Sequence, residues 1–268
     1  MYIGNNHIAN QLYVPYTQNI ANLSKSAQRL ASGEKMPTAA SGGGEMGVAD
    51  RWSQVIRGNA KLKVGVENGM GYLATQDEIL QQATEVLQRM SELAASALDT
   101  TKNTNDRLAL NAEFQALGTE MSQLAGRQYN QISLFGKTLS IRFDATSLTG
   151  PRNALTLSAV NLGAITFGAL NLSQLTSAST ALLSIKSRIT SVNIFKGYAG
   201  NNSNELSRIV DYSNTYSAQL KRAESYVRDI DIAIETGEFT KQQVILSASQ
   251  SVLAQANGIV QSAMQFLG

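Results

Sequence analysis

Cysteine is absent from the 268 residues, and histidine occurs once, at His7. Those two gaps remove disulfides, thiol nucleophiles, paired-histidine metal sites and the HExxH motif. Proline occurs three times and tryptophan once, at Trp52, where an anchoring packing role is the plain reading. Aromatic residues make up 6% of the chain and charged residues 16%, so the bulky groups that dominate compact globular cores are scarce. The 22 basic and 20 acidic side chains leave a net charge of +2, too small and too mixed for a nucleic-acid surface. No basic segment followed by an apolar one opens the chain, so no cleaved signal peptide is expected. No apolar run reaches the roughly 20 residues of a membrane span. Gln, Asn, Ser, Thr and Ala fill the gap, a composition that suits long helices in bundles.

Charge is missing most conspicuously at the two ends. Met1 to Ser24 carries none apart from His7, and nothing after Lys241 is charged. Both ends nevertheless keep apolar residues at helical spacing. Near the N-terminus these are Ile8, Leu12, Ile20, Leu23, Ala27 and Leu30. Near the C-terminus they are Ile245, Ala248, Val252, Ala256, Ile259, Ala263 and Leu267. A helix in water would carry Lys and Glu on its outer face, whereas amides and hydroxyls suit a helix surrounded by other polypeptide. The two ends therefore read as mates.

Along the chain, residues 5–32 read as a helix that Pro15 should kink or restart, with Gly33 as its stop. Pro37, Gly42 to Gly44 and Gly47 then break the periodicity, so a linker or extended spoke is expected near 33–52. It is not a phosphate loop, because no strand precedes it and Lys35 lies before the glycines. From Tyr72, the residues Leu73, Leu80, Leu87 and Ala94 recur every seventh position, interleaved with Ala83, Met90 and Ala97. That stripe predicts a helix ending near Leu98, followed by a turn in which Asn105 or Asp106 caps the next helix. A second stripe, Leu110, Phe114, Leu117, Met121 and Leu124, makes a helical hairpin with the first. Alternation in "KTLSIRF" and "ALTLSAV", on either side of Gly150-Pro151, predicts a small β-hairpin, continuing through Ile165 and Phe167. Helical spacing resumes at Leu175, is expected to pause at Gly197 to Asn204, and breaks at Thr236-Gly237 before a terminal helix. Leu80, Leu87, Met90, Phe114, Leu117, Leu182, Ile185 and Leu220 are expected to share one core.

No catalytic, metal or cofactor-binding constellation emerges, and a non-enzyme is expected. Asp229, Asp231, Glu235 and Glu238 stand beside Arg228 and Lys241 and read as ion pairs rather than an acid–base dyad. The expected fold is mainly α: a long antiparallel helical bundle or coiled-coil rod, with a small β-hairpin region at the distal end.

These segments resemble bacterial flagellin, the flagellar filament subunit, in a short form without large outer domains. The resemblance is carried by "NIANLSKSAQRLASG", "GVADRW", "ENGMGYLATQDEILQQATEVLQRMSELAASA", "NAEFQALGTEMSQLA" and, most specifically, "AESYVRDIDIAIETGEFTKQQVILSASQSVLAQAN". It covers nearly all of the chain outside about 135–195. Ser41–Glu45, "SGGGE", departs from the acidic stretch usual in the family, and the first residues and the final "QFLG" are atypical. The resemblance implies an inner filament-core domain from 1–40 and 237–268, a helical shell domain from 41–134 and 176–236, and a short β-rich outer region at 135–175. It implies a helical homopolymer outside the cell that serves motility, exported by the flagellar type III route. Implied partners are an export chaperone, the filament cap protein and hook-associated junction proteins, with neither nucleic acid nor membrane insertion. Arg89, Leu93 and Glu113 match a segment sensed by Toll-like receptor 5, although Ser91 stands where the family commonly has Arg. Two other readings compete: a hook–filament junction protein of the same family, and a type III translocator-like protein.

Overall fold

The computed structural model describes residues 7–37, 43–144, 154–164 and 170–267. Among the described residues there are five α-helices: α1 His7–Ser32, α2 Gly43–Ala97, α3 Thr104–Ala125, α4 Leu175–Arg228 and α5 Ile232–Leu267. Two antiparallel strand pairs lie between α3 and α4. The first joins β1 (Gln128–Tyr129) to β2 (Ile132–Ser133), and the second joins β3 (Leu139–Arg142) to β4 (Ala154–Leu157). The expected mainly helical fold with small β-hairpins is therefore what forms. The chain divides into two compact units, residues 55–218 and the combination of 1–54 with 219–268.

The core of the 55–218 unit is built on a seven-residue rhythm. On α2, Val66, Leu73, Leu80, Leu87 and Ala94 are buried, as are Gln76, Ala83, Met90 and Ala97 on the adjoining series. On α4 the buried series is Ala178, Ile185, Val192, Ala199, Leu206 and Ser213. Two stripes on one helix at a period of 3.5 let it face two neighbours at once. Phe114, Met121 and Leu124 of α3 fill the third side, with Leu117 and Leu182 packed at the margin. Leu220 is not part of this cluster, contrary to expectation; it is half-buried and belongs to the other unit.

The hairpins close the end of this core. β3 and β4 pair from Leu139 with Leu157 to Arg142 with Ala154, which turns Ile141 and Leu157 inward. Gly150-Pro151, Ile165 and Phe167 lie outside the described residues. The β1–β2 hairpin has no counterpart in the sequence pattern. Its two-residue turn, Asn130-Gln131, has positive φ at both positions (47° and 64°), the geometry that matches strand twist. Beyond it, the Leu134 carbonyl accepts from Tyr72 Oη at 3.0 Å and from the buried Gln76 Nε2 at 2.6 Å. Two side chains of α2 thereby anchor the loop that follows α3.

Five local expectations need correction. The first concerns Pro15, since α1 runs through it without interruption. Proline forfeits one backbone bond, but its ring fixes φ near the helical value. A second correction is that α2 begins at Gly43, so Gly43, Gly44 and Gly47 are helical and only part of the expected spoke lies outside a helix. Each glycine costs a helix about 1 kcal/mol relative to alanine, and packing of Met46 and Ala49 offsets this. Third, α4 has no pause at 197–204, because buried Ala199 continues its stripe with a small side chain. Fourth, Thr236-Gly237 lies inside α5 and the break falls at 229–231. Asp231 decides that point: its Oδ1 accepts from the backbone N–H of Ala233 (2.9 Å) and Ile234 (3.2 Å), the geometry of an N-cap. Last, the N-cap of α3 is Asn103, with Asp106 closing the capping box three residues on.

Candidate assembly interface

α1 and α5 pack along each other in antiparallel sense, since Ser26 meets Glu235 while Tyr16 meets Gln250. The polar contacts cluster at the end nearest the two joints. Ser26 Oγ, 5% exposed, donates to Glu235 Oε1 at 2.6 Å, and Arg29 Nη1 lies 3.7 Å from Glu235 Oε2. One turn on, Gln242 Nε2 donates to Glu238 at 3.0 Å and Lys241 Nζ at 3.2 Å. The Gln242 bond first, then the Lys241 bond, holds the Glu238 carboxyl below its ordinary pKa. Ser26, Arg29, Glu235, Glu238 and Gln242, with Asn22 and Lys25, line a polar slot of about 280 Å³. Farther towards the free ends, Gln250 Nε2 donates to Tyr16 Oη at 3.3 Å.

The predicted assembly residues fall into three groups. Leu23, Leu30 and Ile245 are half-buried and Ala256 is buried. Ile20, Ala248, Val252 and Ile259 stay exposed, at 43% for Ile20, 46% for Val252 and 60% for Ile259. Ile8, Leu12, Ala263 and Leu267 lie on α1 and α5, with their side chains outside the described set. The two stripes thus cover each other along one line and leave a second apolar line open. Tyr13, Val14 and Val244, each more than 60% exposed, extend that open line, and the sequence reading missed all three. Their signal was present in the absence of any charge around them.

Elsewhere, Arg89 of α2 reaches Glu113 of α3 with Nε (3.0 Å) and Nη2 (2.8 Å) and bonds Glu92 with Nη1. Glu113 first, then Glu92, raises the guanidinium pKa. Leu93, 3% exposed, belongs to the core rather than the surface, so it acts on any partner only by supporting its neighbours. Trp52 is half-buried and His7 is the first residue of α1. Of the acidic cluster, Asp231 serves as a cap, Asp229 pairs with Ser225, and Glu235 and Glu238 take the contacts described above. Among the described residues there is no group of three or more potential metal ligands, and no helix is long and apolar enough to cross a membrane.

A heptad-packed set of long helices, with a terminal helix pair that keeps apolar side chains exposed, defines a helical structural protein. Two family models match: the bacterial flagellin N-terminal helical region over residues 3–139 and the C-terminal helical region over residues 172–267. The chain belongs to the bacterial flagellins, the subunits of the helical flagellar filament. Among relatives, a flagellin of Halalkalibacterium halodurans is 29% identical over 91% of each chain. Flagellin FlaB2 of Treponema pallidum is 26% identical over 98% of this chain and 99% of its own. The crystal structure of Bacillus cereus flagellin is 26% identical, with a TM-score of 0.50, covering 56% of this chain and 88% of that one.

Proposed function

We propose that the exposed apolar line on α1 and α5 is the assembly device of the filament. The observation that carries this reading is the coincidence of exposed Ile20, Val244, Val252 and Ile259 with ends that bear no charge. Burying one such side chain contributes about 1.5–3 kcal/mol, and holding one residue's backbone costs roughly 1–2 kcal/mol. A lone pair of helices half covered by each other gains little from order. A neighbouring copy that covers the second line tips the balance. A contact that joins unlike faces through a rotation that does not close repeats into an open helical polymer.

In this reading residues 1–40 and 237–268 form the filament core, 41–134 and 176–236 the shell, and 135–175 the outer region. The subunit has no catalytic role and is passed through the flagellar type III route with an export chaperone. It joins the filament beneath the cap protein and above the hook-associated junction proteins. Arg89 and Glu113 form an exposed ion-paired patch open to recognition by Toll-like receptor 5, with Leu93 fixing the helix beneath it. A cell assay comparing monomer with Arg89→Ala tests that part, and silence from the unaltered chain ends it.

The main test is precipitant-induced polymerisation followed by electron microscopy. Long filaments from the pure chain are expected. Their absence, or short capping assemblies only, would favour the junction-protein reading.

A further inference from the structure

We infer that Arg228 is a positioning residue that closes the two joints flanking α1 and α5 into a single clasp, so that the two terminal helices are set in place together. The inference rests on the filament reading for its consequence and on geometry for its substance.

Arg228 is the last residue of α4, and its guanidinium fans out to carboxylates on three separate elements. Nη2 lies 2.7 Å from Asp50 of α2, and Nη1 lies 2.9 Å from Glu224 one turn earlier. Nε lies 3.7 Å from Glu34, in the joint that follows α1. The backbone takes part as well. The Arg228 carbonyl accepts from Lys35 N at 2.6 Å, and Ile230 N donates to the Gly33 carbonyl at 3.2 Å. Glu34 and Asp229 thereby face each other across an antiparallel bridge that joins the α1–α2 connection to the α4–α5 connection. Gly33 makes this possible, since its φ of +72° ends α1 and turns the chain toward the bridge. Beneath the bridge Met36 is 8% exposed, against Met46, Ala49 and Val227.

Single ion pairs at a surface contribute little. Here one cation serves three anions, and its own carbonyl holds the opposite strand. Removing the side chain takes away the cation that Glu34, Asp50 and Glu224 share, and like charges at close range repel. A lysine carries the charge but not the planar fork that reaches three partners at once. Neither joint therefore opens without the other. In a subunit that must present two terminal helices as one pair, such coupling keeps their register.

Amide hydrogen exchange on the full-length monomer tests this, using the native chain, Arg228→Ala, Arg228→Lys and the exchanged pair Arg228→Asp with Asp50→Arg. Arg228→Ala is expected to speed exchange at 33–37 and at 229–235 by a common factor of roughly tenfold, with residues 73–97 unchanged as the internal sign of an intact bundle. The lysine variant should fall between, and the exchanged pair should recover part of the protection. Arg228→Ala should also raise the subunit concentration needed for filament growth. A response at one joint only, a response at neither, or a lysine variant equal to the native chain would overturn the clasp. Exchange that responds while filament growth does not would overturn its positioning role. If the native chain makes no filaments, the filament reading fails, and the exchange result still decides the clasp.

Discussion

Ser26 Oγ and Glu235 Oε1 meet at 2.6 Å across 209 residues of chain, and the hydroxyl that makes this bond is almost wholly buried. It links α1 to α5, and it lies where the Arg29 guanidinium adds its charge. Ser26→Ala leaves the Glu235 carboxylate, 14% exposed, with a single distant partner. A hydrogen bond to a charged group contributes about 1.5–3 kcal/mol. Earlier proteolytic cleavage within α1 and α5 is expected, with the melting of the 55–218 unit unchanged. Equal cleavage rates in both proteins would show that the pair is held by its apolar seam alone.

Leu87 is fully buried at the centre of the heptad series. Leu87→Ala should destabilise the monomer by roughly 2–5 kcal/mol, measured by denaturant unfolding. Leu220→Ala, at a half-buried position outside that cluster, should cost clearly less. A reversed order would contradict the packing described for α2.

Tyr72 offers a pH test. Burial raises its phenol above the ordinary value of 10.0, and the hydroxyl donates to the Ser133 and Leu134 carbonyls. A raised folded-state pKa means the folded chain holds the proton longer than the unfolded chain. The stability from this group is therefore complete below about pH 10 and is lost as pH rises through the folded value. Tyr72→Phe should cost about 1 kcal/mol near neutrality and flatten the alkaline limb of the stability curve. An unchanged limb would place the alkaline sensitivity at another group.

The terminal helices give the sharpest test of assembly. Deleting residues 242–268 should leave the 55–218 unit folded and abolish polymerisation. Val252→Asp should do nearly the same. Its side chain is 46% exposed in the monomer and tolerates a charge there, whereas a neighbouring subunit would bury an unpaired carboxylate at a cost of several kcal/mol. Limited proteolysis should find the ends labile in the monomer and resistant in the filament. A truncated chain that still forms filaments would move the assembly device elsewhere.

Asp231→Ala removes the acceptor for two orphan N–H groups of α5 and should cost about 0.5–2 kcal/mol of local stability. Asp231→Asn should recover most of that, since an amide oxygen caps equally well. Exchange at Ala233 and Ile234 gives the readout.

Much of this protein was legible as pattern. The buried series Leu73, Leu80, Leu87 and Ala94 follows from a period, and a period is a property of the chain alone. The same holds for the alternation that pairs β3 with β4, for Gly33 as a helix stop, and for the uncharged ends. Their common cause is local: side-chain direction repeats with backbone geometry, so an apolar face shows in the spacing.

What the spacing did not carry was decided by contacts between residues far apart in sequence. Glycines 43, 44 and 47 disfavour a helix locally, yet packing keeps α2 helical through them. Ala199 is too small to mark a stripe, and only its burial shows that α4 is unbroken. The break between α4 and α5 departs from the local signal at Gly237, because the Asp231 side chain caps α5. The Arg228 fan draws on Glu34, Asp50 and Glu224, three ordinary surface charges in the sequence. Composition and period determined that the chain is mainly helical and that both ends carry apolar stripes without charge. Tertiary structure alone decided which apolar residues those ends spend on each other and which remain uncovered, because two stripes of the same period can meet along only one line.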